Sequence, residues 1–251
     1  MKIREMKRFI TSARSLFAEI KSYLLIHFAP TVARNSLLMR LNSPGASTIW
    51  VLGTIHLRHL VTRTYSLAHL EAVLLHIHPD KLLVESRPSE VAAGNLADGP
   101  MEMGYMSLVA RAAGIPVDGV DWWKDDSNGI RRTNTEREDQ IASNVYEHLS
   151  AMGSILICLG FSHVHDLVER LREKGYVKTT ISAKNKAILF DTSGIQKNFP
   201  EGMASALEHR IAADERQLSQ TPSVEIFERV RNGLTVRKKL LLRVRTTGER
   251  S

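Results

Sequence analysis

From residue 48 onward, short apolar runs alternate with longer stretches whose apolar side chains recur every three or four positions. "TIWVL" (48–52) precedes "YSLAHLEAVLLHI" (65–77), which has helical spacing, and "KLLVES" (81–86) follows. A loop containing Gly94, Gly99 and Pro100 leads to a predicted helix over 101–113 and then to "IPVDGVD" (115–121). A predicted helix around 135–152 precedes "SILICLG" (154–160), and "HVHDLVERLREKG" (163–175) leads to a last strand near 177–181. Short apolar runs bounded by turn residues read as buried strands, and a period of three to four reads as a helix. Their alternation predicts an α/β fold: a mainly parallel sheet with helices on both faces.

The flanks have a different pattern. Ile3, Met6, Phe9, Ile10, Ala13, Leu16, Phe17, Ile20, Tyr23 and Leu24 fall on one helical stripe, which predicts an amphipathic N-terminal helix ended by Pro30. Such a stripe docks on the domain or on a second subunit; with Lys2, Arg4, Lys7 and Arg8 beside it, it also suits a membrane interface. Residues 206–218 and 223–244 are helical in pattern, Gly233 interrupting the second. Arg237, Lys238, Lys239, Arg243 and Arg245 are expected on a solvated face there. The chain thus divides into a basic amphipathic helix (1–40), an α/β domain (41–200) and a helical basic extension (201–251).

With 251 residues, 43% of them hydrophobic, the chain is long enough to bury a substantial core. Its net charge of +7 is unevenly spread: residues 1–40 and 229–251 hold +13 between them, leaving about −6 on the body. A mildly acidic body argues against a specific nucleic-acid groove across the fold, which would need its excess Lys and Arg there. An anionic surface such as a membrane would be met peripherally, by the basic ends. No stretch reaches the roughly 18 apolar residues of a membrane span. Glu5, Arg14, Glu19 and Lys21 interrupt what a signal peptide would keep apolar. Cys158, the single cysteine, is expected as a small buried thiol. The expected location is cytoplasmic.

Open parallel sheets bind ligands beyond the carboxyl ends of their strands. Every predicted core strand here ends in chemistry: Gly53, Thr54 and His56; Glu85 and Arg87; Asp121, Trp122 and Trp123; Gly160, Ser162, His163 and His165. Two ends share the spacing Gly-x-x-His, at 53–56 and 160–163, where a glycine allows a sharp turn or close approach. His56 is the candidate from the first end, against the alternative of a histidine bonded within a turn. His163 is preferred to His165, which should face another way. His59, His69, His76 and His78 are expected at the surface or at helix ends. A bare Glu85 carboxylate after an apolar run would be costly, so a partner is expected: Arg87, Arg137, a histidine or a metal.

"VLGTIHL", "KLLVESRP", "GIPVDGVDW", "REDQIASNV" and "ILICLGFSHVHDLVERLREKGY" occur in the order and approximate spacing of the TraB, GumN and Tiki proteins. The chain resembles that family over roughly 48–180, within a wider set that includes erythromycin esterases and ChaN-like haem-binding proteins. The resemblance maps the two Gly-x-x-His motifs onto Gly53 and His56 and onto Gly160 and His163, the family glutamate onto Glu85, and its Arg-acid pair onto Arg137 and Glu138, with Asn144 beyond. "GFSH" stands where the family usually has "GAGH".

What the resemblance implies is a metal-dependent, peptidase-like hydrolase. His56, Glu85 and His163 would hold Mn, Co or Zn, Glu85 also serving as base, and Arg137 or Arg87 would face the oxyanion. Its substrate would be a peptide or small ester. A metal-free ester hydrolase with a histidine base, and a binding or regulatory protein on the same scaffold, including a haem-binding one, are the alternatives.

Overall fold

The computed structural model describes residues 30–43, 47–122, 135–149, 153–220 and 224–250, together with Ile20, Leu24 and Phe28. The predicted N-terminal helix otherwise lies outside the described residues, as does Trp123. Ile20, Leu24 and Phe28 are helical and exposed. A helix, α1, runs Pro30–Ser36, and proline suits a first helical position, where its missing N–H would be unpaired anyway; where the predicted N-terminal helix ends lies outside the described residues.

Six strands form the main sheet: β1 (Leu38–Asn42), β2 (Thr48–Thr54), β3 (Lys81–Val84), β4 (Val117–Gly119), β5 (Ser154–Gly160) and β6 (Val177–Thr179), in the order β4-β3-β5-β2-β1-β6. The four core strands β4, β3, β5 and β2 are parallel, while β1 runs antiparallel to both β2 and β6. Thr54 pairs with Gly160 and Val84 with Cys158, so β2, β5 and β3 end nearly level.

Alternate residues of these strands feed two cores, as the period of two dictates. Leu52, Leu82, Val84, Leu156 and Cys158 point to one face. That face also packs side chains from α2 (Leu67–Ile77), α4 (Met101–Ala112), α8 (Met203–Gln220) and α9 (Val224–Thr247). Ile49, Val51, Leu83, Ile155, Ile157 and Leu159 point to the other, with α5 (Thr135–His148) and α6 (Phe161–Glu173). The expected α/β architecture with helices on both faces is what forms. Two short helices complete it, α3 (Pro88–Ala92) and α7 (Ala183–Leu189), along with a β7–β8 pair (Phe199–Pro200 with Glu249–Arg250). Among the described residues no helix is long and apolar enough to cross a membrane.

The C-terminal helices are integrated into the fold. Leu207 of α8 and Leu240 and Val244 of α9 enter the core. Gly233 does not interrupt α9; a Cβ there would lie 2.8 Å from Arg237 Nη1 and 3.2 Å from Leu57 Cδ1, so the glycine makes room. Arg237, expected on a solvated face, is only 7% exposed. Arg250 reaches Glu71, which also accepts from Tyr105 Oη, and Glu249 accepts from the N–H groups of Gly202 and Ala204 at the start of α8. These contacts pin the far end of the hairpin to the body.

Candidate active site

The level strand ends bring His56, Glu85 and His163 together. Glu85 follows β3 and is 3% exposed. Its Oε1 accepts from Arg137 Nη2 at 3.1 Å and lies 3.3 Å from His163 Nε2, while Oε2 accepts from the Gly160 N–H. Glu85 therefore finds two of its expected partners, Arg137 and a histidine, and the guanidinium and imidazole offset the cost of burying the carboxylate. Arg137, near the start of α5, also forks onto Asp121, with Nε and Nη2 each 2.8 Å from a carboxylate oxygen. Arg87 does not bond Glu85. It folds onto Asp98 instead, with Nη2 3.1 Å from Oδ1 and the backbone N–H 2.8 Å from Oδ2.

His163 is 2% exposed and lies between carboxylates, its Nδ1 2.7 Å from Glu138 Oε1. Burial alone would lower its pKa, but hydrogen bonds and charge from Glu138 and Glu85 raise it to about 10. His56 has a different setting. It opens a one-turn helix, His56–Leu60, with a left-handed φ of 52°, which is unusual for a non-glycine residue. Its Nδ1 lies 2.9 Å from Glu102 Oε1, which also accepts from Thr54 Oγ1 at 2.7 Å. Burial again opposes charge on the ring, and Glu102, with a smaller contribution from Glu85, raises the pKa to about 9. The His56 side chain remains 41% exposed, and among the described residues its Nε2 has no hydrogen-bond partner.

Gly160 explains the proximity. A Cβ on it would stand 2.7 Å from His56 Nε2 and 3.0 Å from Glu85 Oε2, so the absent side chain is what lets the ring and the carboxylate meet over the strand end. Gly99, at φ +71°, does the same for the loop before α4: a Cβ there would strike the Glu85 carbonyl oxygen at 2.2 Å.

His56, Glu85, Glu102 and Arg137, but not the buried His163, face a cavity of about 870 Å³. Its floor is the sheet edge, with His56, Glu85, Glu102, Asp121 and Arg137; Arg87 and Asp98 form a side, and α8 and α9 form the roof. Glu102, second residue of α4, was not anticipated. Its only signal is a lone acid in the otherwise uncharged "PMEMGYM", at a helix N-terminus where a negative charge is favoured.

His59, His69, His76 and His78 do not line the cavity. His59 is 1% exposed rather than at the surface: it accepts from the Ile55 N–H at 2.8 Å and donates through Nδ1 to the Tyr65 carbonyl at 2.7 Å. Burial lowers its pKa to about 4, so it holds the turn as a neutral ring. His69 faces Ser66 at the start of α2, His76 bonds back to Ala72, and His78 follows the helix at φ 45°. Asn144 donates to the Val120 carbonyl and ties α5 to the end of β4.

Mn, Co or Zn requires imidazole nitrogens and carboxylate oxygens with lone pairs to spare. Glu85 has both oxygens engaged, both ring nitrogens of His163 face carboxylates, and the cation beside Glu85 is Arg137. Among the described residues no group of three His, Cys, Asp or Glu is arranged to hold a metal ion. As they stand, His56, Glu85 and His163 meet but do not fit the ligand set expected of them.

Compared with protein-family profiles, with curated proteins and with solved structures, the chain matches none.

Proposed function

We propose that the chain is a metal-free hydrolase of a small ester or peptide, of the erythromycin-esterase-like kind within the wider set that the TraB, GumN and Tiki resemblance points to. The observation that carries this reading is the His56–Glu102 pair: Nδ1 is held by a buried carboxylate at 2.9 Å, while Nε2 has no hydrogen-bond partner among the described residues and the residue lines the cavity. A carboxylate-oriented imidazole with one open nitrogen is the arrangement of a general base. His56 Nε2 takes a proton from water, the water oxygen bonds to the substrate carbonyl carbon, and the carbonyl oxygen becomes an oxyanion. Arg137, the guanidinium on the cavity floor, supplies positive charge to that oxyanion. As the tetrahedral centre collapses, the bond to the leaving oxygen or nitrogen breaks, and the His56 imidazolium returns its proton to that atom. His163 and Glu138 hold Glu85 in place and stay out of the proton transfer. A cytoplasmic location with peripheral membrane contact through the basic ends belongs to the same proposal.

Purified protein assayed with p-nitrophenyl esters and short peptides tests the reading. Turnover is expected to persist after chelator treatment and to be lost in His56→Ala. Activity that disappears with chelator and returns with Mn, Co or Zn would replace this reading with the metal-dependent one.

A further inference from the structure

The cavity roof carries a charge excess that the proposed chemistry does not use. Asp214 of α8 accepts from Arg210 at 3.2 Å and also from Arg237 of α9, so one carboxylate serves two guanidinium groups. Arg210 spends its remaining reach on the carbonyl oxygens of Ala97 and Gly99, each at 2.8 Å. Arg237 has no such outlet. Its residue is 93% buried, by its 7% exposure, and its Nε is enclosed without a hydrogen-bond partner among the described residues. Sharing one carboxylate leaves the two guanidinium charges only half offset inside the fold. The guanidinium stands over Gly233 and beside Leu57, next in sequence to His56, and it lines the same cavity.

From this geometry we infer that Arg237, with Arg210 across Asp214, forms a subsite for an oxyanion, a carboxylate or a phosphate, carried by the ligand this cavity takes. A guanidinium that lines a cavity and shares its one carboxylate with a second guanidinium suits such an anion as a charged hydrogen-bond donor. The subsite rests on the cavity of the proposed hydrolase, and it sets the substrate class: an acyl compound with a negative group on the roof side of the bond to be cleaved.

Equilibrium binding tests this without turnover, so a failed hydrolase assay leaves it standing. Full-length protein is titrated calorimetrically at low ionic strength with inorganic phosphate and, separately, with succinate; the tighter of the two identifies the class. Wild type is expected to bind one saturably. Arg237→Gln should weaken that binding at least about tenfold, whereas Arg245→Gln, whose partner Glu208 is on the surface, should match wild type. Arg237→Lys keeps the charge but not the planar donor set and should bind several-fold more weakly; it decides the matter if Arg237→Gln does not fold. Wild type that binds neither anion, or Arg237 variants with wild-type affinity, would overturn the inference.

Discussion

The two Gly-x-x-His ends share a spacing and little else. At the first, His56 has a strained backbone, a half-open ring and one free nitrogen; at the second, His163 is buried with a carboxylate at each nitrogen. The glycines differ too. Gly53 is a packing position, where a Cβ would lie 3.0 Å from Leu37 Cδ2 and 3.2 Å from Val164 Cγ2. Gly160 is a site position, where a Cβ would meet His56 and Glu85. Neither has a left-handed φ, so both are needed for the space they leave. A repeated motif therefore marks a shared edge without implying a shared role.

The sharpest way to break this contrast is to delete each ring. His56→Ala is expected to lower kcat/KM by about 10²–10⁴-fold, the worth of a general base, with little loss of stability. His163→Ala removes the partner of two buried carboxylates and is expected to cost about 3–5 kcal/mol in denaturant unfolding. Equal stability losses in the two variants would erase the distinction.

The glycines give the next largest effect. Gly160→Ala is expected to displace the His56 ring and lower kcat/KM by up to about 10²-fold, as small misplacements do. Gly53→Ala should cost about 1–3 kcal/mol of stability through overpacking while leaving activity closer to wild type. Thermal melts alongside ester hydrolysis separate them.

The smallest effects are in pH. If His56 is the base proposed, its pKa near 9 gives a kcat/KM that rises with pH and levels off above about 9; Glu102→Gln removes the charge that raises it and should move the midpoint lower. Both histidines have folded pKa values above the ordinary 6.5. Their contribution to stability is therefore full below 6.5 and is lost as pH rises through about 9 for His56 and about 10 for His163. Urea midpoints across that window should fall in wild type and fall less in His163→Ala.

The core strands were legible in sequence because a buried parallel strand is a short apolar run with turn residues at its ends, and β2, β3 and β5 have that form. β1 was not: "LMRLN" is five residues with an arginine at its centre, and the expected domain boundary at residue 41 cuts through it. Strand ends named His56, Glu85, Asp121 and His163 correctly as neighbours, since register follows from the sheet. Glu102 and Arg237 were hidden for a different reason. Each reaches the cavity from a helix far away in sequence, and a charged residue signals the surface until its partner is known. For Arg237 that partner, Asp214, lies 23 positions earlier on another helix.

The hairpin roof has a consequence in time. Every floor residue lies between positions 53 and 163, whereas α8 and α9 begin at Met203 and Val224. A chain emerging from the ribosome can complete the sheet edge while tens of residues of roof are still being added. The nascent protein thus has its acid-rich floor open to solvent before the basic roof that Arg250 fastens to Glu71 is made.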